Sequence, residues 1–101
     1  VSLVSDKPYS VYVLWSATAR KFYIGISENV PQRLERHNQG LSRWTARHRP
    51  WVLVHTELFP DYRQARRREL DLKRQKGGLG FFQKTGLKPE DFRLPTLPSG
   101  S

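Results

Sequence analysis

The sequence predicts a small α+β domain, a three-stranded antiparallel sheet flanked by helices in the order β-β-α-β-α-α. Two runs rich in β-branched and aromatic residues, YSVYVLW at 9–15 and FYIGIS at 22–27, lie close enough to pair as an antiparallel hairpin. A third such run, WVLVHTELF, occupies 51–59. Between and after these runs, apolar positions recur three and four apart behind capping residues, as in amphipathic helices. At 101 residues the chain makes one domain with a thin core.

Taken in order, residues 1–7 read as a flexible arm and residues 8–93 as the domain. The hairpin strands are joined by a polar turn at 16–21. Asn29 can cap the first helix, with Gln32 three residues on, and Pro31 is tolerated in the first turn, where its missing N–H is not needed. Val30, Leu34 and Leu41 are expected near one face, and Gly40 is a C-terminal stop. Residues 41–50, LSRWTARHRP, read as a basic loop leading into the third strand. Pro60 ends that strand, and Asp61 can cap a second helix over 62–75, again with Gln64 at the third position. Gly77, Gly78 and Gly80 are expected to break it, with a last short helix at 81–85. The Pro/Gly/Ser-rich end, 94–101, reads as a loose tail.

Charge narrows the class of partner. Eighteen Lys and Arg against nine Asp and Glu leave a net charge of +9, which favours a polyanion: nucleic acid or an anionic membrane surface. The basic helix has too weak an apolar face for a membrane-surface role. Without cysteine, a disulfide framework and a Cys-based zinc site are excluded. No apolar run approaches the roughly 18 residues of a membrane span, and the N-terminus lacks a signal-peptide core, so a soluble cytoplasmic protein is expected. No small-molecule cofactor is expected either.

Helix faces single out candidate site residues. Tyr62, Ala65, Glu69, Leu72 and Lys76 share one face of the second helix, which puts Glu69 in a largely apolar stripe. A carboxylate buried there needs a partner. Two readings stand: an ion pair with Arg66 or Lys73, or a bound metal. Arg33 and His37, four apart, project from one face of the first helix. Arg is a bidentate partner for phosphate, and His can hold a water or donate to a leaving oxygen; a plain solvated face is the other reading. In the basic loop, Arg43, Trp44, Arg47, His48 and Arg49 interleave cations for phosphates with an aromatic for bases. Trp51 is expected in the core; for Trp44 both a core and a stacking role stay open.

These residues resemble the GIY-YIG nucleases. Ser10-Val11-Tyr12 on the first strand and Tyr23-Ile24-Gly25 on the second stand where that family has its paired triplets, the second being literally YIG. Arg33, His37 and Glu69 follow in the family's order. ERHNQG at 35–40, Arg49-Pro50-Trp51 and ARRRELDLK at 65–73 are similar to the small stand-alone members, and the whole is similar to the nuclease domain of DNA-repair excinucleases. Two departures stand out. Ser10 replaces the glycine of the first triplet, and Lys88-Pro89-Glu90-Asp91 lacks the asparagine that some members carry after the glutamate helix.

The resemblance implies metal-dependent in-line hydrolysis of a phosphodiester, leaving a 5′-phosphate and a 3′-hydroxyl. It places Glu69 on a single Mg²⁺ or Mn²⁺, Arg33 on the scissile phosphate, and Tyr12 and Tyr23 beside the attacking water. One tyrosine would be the general base, with the choice between them open; Arg33, the metal and the net positive charge are expected to favour its phenolate. His37 would take the tyrosine proton or orient the water. Lys21, Arg43, Trp44, Arg47, Arg66 and Lys73 are expected to guide the strand. The expected substrate is DNA rather than RNA, weakly sequence-specific and single-stranded or branched. The alternative is a catalytically inactive nucleic-acid-binding module of the same fold.

Overall fold

A computed structural model describes residues 7–76 and 78–92. The expected tail at 94–101, most of the expected arm and Gly77 lie outside the described residues. The elements are β1 (Tyr9–Ser16), β2 (Lys21–Ser27), α1 (Val30–Asn38), α2 (Arg43–Ala46), β3 (Val52–Phe59), α3 (Tyr62–Arg74), α4 (Leu79–Thr85) and a 3₁₀ turn at Pro89–Phe92. The α+β class and the three-stranded antiparallel sheet are as predicted, with strand order β2-β1-β3. Two elements had no counterpart among the predicted ones: α2, which lies inside the expected loop, and the 3₁₀ turn.

β1 is central because it can be buried on both faces: Val11, Tyr12, Val13 and Leu14 are all within 1 % of full burial. Since side chains alternate along a strand, this run feeds two cores. Val11 and Val13 join Phe22, Ile24, Ala65, Leu72, Phe81 and Phe82 under α3 and α4. Tyr12 and Leu14 join Val30 and Trp51 on the α1 side. Register sets Tyr12 opposite Gly25 on β2 and opposite Thr56 on β3. The pairing shifts between Val13 and Leu14, whose β3 partners are His55 and Leu53, so Val54 forms a β-bulge.

Caps fix the helices that carry the site. Asn29 Oδ1 accepts the Gln32 N–H at 3.1 Å, and Asp61 Oδ1 accepts the Gln64 N–H at 2.9 Å. α1 ends in a Schellman motif: Gly40, at φ +80°, donates to the His37 carbonyl, and Leu41 donates to that of Arg36. Leu41 is therefore past the helix and 60 % exposed, a correction to its expected place on the apolar face. On α3, Ala65, Glu69 and Leu72 are buried as the periodicity required, while Tyr62 and Lys76 at the ends of the stripe are exposed. Gly78 caps α4 and Gly80 lies inside it, so the expected breaker also opens the next helix.

Leu72 is fully buried between α3 and the sheet. Leu72→Ala is expected to cost about 2–5 kcal/mol, the usual range for a core leucine. The urea midpoint of unfolding should fall while the slope of the transition stays constant.

Candidate active site

β2 is an edge strand, with α1 against one face of the sheet and α3 against the other. A cleft of about 830 Å³ opens where these elements meet, and Tyr12, Tyr23, Arg33, His37 and Glu69 all line it. Five residues from four elements thus reach one cavity. Tyr9, Glu28 and Tyr62 add to its lining. Tyr9 donates a hydrogen bond to Glu28 at 3.3 Å and meets the Tyr62 ring edge-on at 5.3 Å.

The floor of the cleft is a chain of buried hydrogen bonds. Tyr12 Oη lies 3.0 Å from His37 Nε2, and His37 Nδ1 lies 2.8 Å from Thr45 Oγ1. The Thr45 hydroxyl donates to the Ser42 carbonyl at 3.3 Å. With its hydrogen committed there, Thr45 accepts from His37 Nδ1–H, which makes Nε2 the bare nitrogen and directs the Tyr12 hydroxyl proton onto it. Burial, then Arg33 and Arg36, hold the His37 pKa below its ordinary value. The imidazole is therefore neutral at pH 7, as this tautomer requires.

Thr45 is in turn held by its surroundings. Trp51 Nε1 donates to the Thr45 carbonyl at 2.8 Å, and Asn38 bridges to the Trp51 backbone with both ends of its amide, at 2.6 and 3.0 Å. The sequence alone assigns no role to Thr45, Asn38 and Ser42, although Asn38 lies in the ERHNQG stretch. A short helix starting after a serine is the only other local signal they carry.

The protein groups around Tyr12 oppose its ionisation. Burial pushes its phenol well above the ordinary value; the neighbouring Tyr23 raises it further, and Arg33 lowers it by less. Among the protein groups alone, burial outweighs Arg33 and the balance at this position favours the neutral hydroxyl. The ring also explains the glycine of the second triplet. A Cβ on Gly25 would fall 2.6 Å from Tyr12 Oη and 2.7 Å from Cζ. Gly25 is there because the phenol lies across it.

Glu69 is 5 % exposed and has both oxygens engaged. Oε1 accepts from Arg66 at 2.5 Å and Oε2 pairs with Lys73 at 2.9 Å. The ion-pair reading of Glu69 therefore describes the structure, with both candidate partners at once. The donor set also suits one hard cation. Among the described residues there is no cluster of three or more His, Cys, Asp or Glu to form a complete cage. One carboxylate completed by waters and substrate oxygens is, however, how Mg²⁺ is commonly held. A carboxylate has about four lone-pair sites, and Arg66 and Lys73, nearly half exposed, have room to move.

The remaining sequence candidates divide. Arg33 is exposed on the cleft wall with no carboxylate in ion-pair range among the described residues. Arg66 lines the cleft, but it and Lys73 are engaged with Glu69. Lys21, Arg43, Trp44 and Arg47 lie outside the cleft lining. Trp44 is 44 % exposed and joined to the site through ring contacts of 6.0 Å with Tyr23 and 5.9 Å with the buried Trp51.

Residues 8–80 match the family model described as the GIY-YIG catalytic domain. The chain is similar to a UPF0213 protein of Nitratidesulfovibrio vulgaris, 33 % identical over 72 residues, covering 70 % of this chain and 64 % of the relative. It is also similar to a UPF0213 protein of Staphylococcus haemolyticus, 40 % identical over 52 residues, covering 50 % of this chain and 63 % of the relative. The chain thus spans less than two thirds of either relative's length.

Two outcomes are expected. Because the folded-state pKa of His37 is lowered, the unfolded chain binds more protons just below the ordinary histidine pKa of about 6.5. Stability should be fully present above that pH and decline as pH falls below it. Thermal unfolding of wild type and His37→Gln between pH 7.5 and 5 should show the decline only where His37 is present. Gly25→Ala should displace the Tyr12 ring and cost about 1–3 kcal/mol, as overpacking does. Chemical denaturation measures the cost, and loss of the ring contact between Tyr12 and His37 should appear in NMR.

Proposed function

Because the chain belongs to the GIY-YIG catalytic-domain family, a nuclease family, we propose that it is a divalent-metal-dependent endonuclease. On this reading it hydrolyses DNA phosphodiester bonds to a 5′-phosphate and a 3′-hydroxyl. The observation that carries the reading is the hydrogen-bond chain from Tyr12 through His37 to Thr45, set in a cleft lined also by Arg33 and Glu69.

The chain's own residues supply most of what in-line hydrolysis needs. Arg33 binds the non-bridging oxygens of the scissile phosphate and offsets charge growing on them. Tyr12 Oη has given its hydrogen to His37, so its lone pairs are available to an attacking water. As the water oxygen bonds to phosphorus, its proton passes to Tyr12 while the Tyr12 proton passes to His37 Nε2. The bond from phosphorus to the 3′-oxygen breaks, and that oxygen takes a proton from solvent in the open cleft. The relay needs no standing phenolate, which agrees with the raised pKa of Tyr12. This favours Tyr12 over Tyr23 as the relay residue. Tyr23, whose ring packs edge-on against His37 at 4.8 Å, positions the water and the imidazole. Glu69 would hold Mg²⁺ or Mn²⁺, and when bound the ion supplies Lewis-acid stabilisation of phosphoryl and leaving-group oxygens.

A single-stranded or branched substrate fits the surroundings best. The cleft is open and polar, and Trp44 beside Tyr23 presents an exposed face to unpaired bases. Arg33, Arg36 and Arg66 line the cleft as cations suited to phosphate oxygens, which supports weak sequence preference.

Labelled single-stranded, duplex and branched DNA, each with Mg²⁺, Mn²⁺ or EDTA, tests the reading. Wild type should cut only with metal. Tyr12→Phe should lower the rate about 10²–10⁴-fold, the range for loss of an acid–base group, and Glu69→Ala should abolish metal-dependent cutting. Cutting that persists in Glu69→Ala would overturn the mechanism. Binding without cutting on any substrate would establish the inactive-module alternative.

A further inference from the structure

The cations of α3 fall into two groups. Arg66 and Lys73 are paired with Glu69, while Arg68 is paired with Glu57 at 2.7 Å and with Asp71 at 3.7 Å. Arg63, Arg67 and Arg74 have no carboxylate in ion-pair range among the described residues. All three are exposed. At helical spacing of about 100° per residue they fall on one line with the 43 % exposed Leu70, opposite the buried face of Ala65, Glu69 and Leu72. None of them lines the catalytic cleft. Arg67 and Arg74 instead border a second groove of about 460 Å³, lined also by Phe59, Gln64, Arg68 and Asp71.

A helix face that merely meets water normally mixes charges of both signs. The stripe of Arg63, Arg67, Leu70 and Arg74 carries one sign only, and Asp71 beside it is engaged by Lys84 and Arg68. Arg63 and Arg67 are like charges at i,i+4, which destabilises a helix. Arg63 also sits in the first turn, where the helix dipole disfavours a cation and where no acidic residue stands. The cap, Asp61, has its pKa lowered chiefly by the Gln64 N–H, with a smaller part from Arg63. Two unfavourable local choices on one exposed stripe point to an anionic partner that offsets them.

We propose that this outer ridge of α3 is a second nucleic-acid surface, separate from the cleft, which holds the phosphates of the strand beyond the cut. From Arg63 to Arg74 the stripe runs about 16 Å, at 1.5 Å per residue. That is the length of about five stacked nucleotides at the duplex rise of about 3.4 Å per step, and fewer of an extended strand. Three guanidiniums suit phosphate oxygens and carry no base-reading geometry of their own, so the surface adds affinity without sequence choice. It also gives the substrate a minimum useful length, since a short oligonucleotide can fill the cleft without reaching the ridge.

The inference rests on nucleic acid being the substrate, so binding is measured in EDTA, where cutting plays no part. Fluorescence anisotropy is read across a salt series with single-stranded oligonucleotides of six and twenty-four nucleotides. The proteins are wild type, Arg63→Gln/Arg67→Gln/Arg74→Gln, and the matching triple Lys variant. On the long oligonucleotide the Gln variant should lose about two units of log Kd against log salt slope, near 0.7 for each of three contacts. The Lys variant should keep the slope, the short oligonucleotide should bind all three proteins alike, and cutting of the short substrate should be unchanged. An unchanged slope on the long oligonucleotide would overturn the ridge while leaving the cleft reading intact. Equal loss on both lengths would show that the stripe serves the cleft and would overturn its separateness. A wild type that cuts nothing and binds neither length removes the cleft reading and the ridge together.

Discussion

The buried hydroxyl of Tyr12 is the group around which the site is organised. It sits on the central strand with almost no exposure, and an unsatisfied hydroxyl there would cost roughly 1–3 kcal/mol. His37 Nε2 satisfies it. That nitrogen can accept only if Nδ1 carries the proton, and Thr45 secures this by accepting from Nδ1 while donating to Ser42. Trp51 holds the Thr45 carbonyl, and Asn38 holds the Trp51 backbone. One phenol on β1 thereby fixes the end of α1, the short α2 and the entry to β3.

Electrostatics complete the arrangement. The chain carries twice as many cations as anions, and the buried or half-buried Glu69, Glu57 and Asp71 each have a cation at hand. Glu69 is shared by Arg66 and Lys73, and Glu57 by Arg68 and His55. What is left over is positive and outward. Some of it faces the cleft, as Arg33 does, and some runs along the outer ridge of α3. α3 thus has three sides: an apolar one against the sheet, one whose charges meet at Glu69, and an outer stripe of cations beside an Asp71 that Lys84 and Arg68 engage.

Much of this was legible from residue order. The two strand triplets, the Arg33/His37 spacing and the Glu69 stripe each point to a shared face, and all five side chains line one cleft. The glycine of Tyr23-Ile24-Gly25 was legible as a motif, but its reason was not. Only the register that sets Tyr12 opposite Gly25 shows that the phenol occupies the space of a Cβ. Leu41 misled because helical periodicity was carried one residue past a glycine in the left-handed region. The burial of Tyr12 was not legible, because formal charge is visible in a sequence while burial is not. Desolvation opposes the phenolate more strongly than Arg33 favours it.

The sequence by itself determined the periodicities, the caps and the net charge, and with them the α+β class, the helix ends at Asn29, Gly40 and Asp61, and the kind of polymer the surface favours. These depend on neighbours within a few positions or on composition, and both can be read from residue order. The tertiary structure alone decided which hydroxyl is buried, which nitrogen of His37 is bare, and which arginines of α3 are engaged. Those outcomes depend on groups far apart in the chain, Tyr12 with His37 and Arg68 with Glu57, brought within about 3 Å by strand register and helix packing.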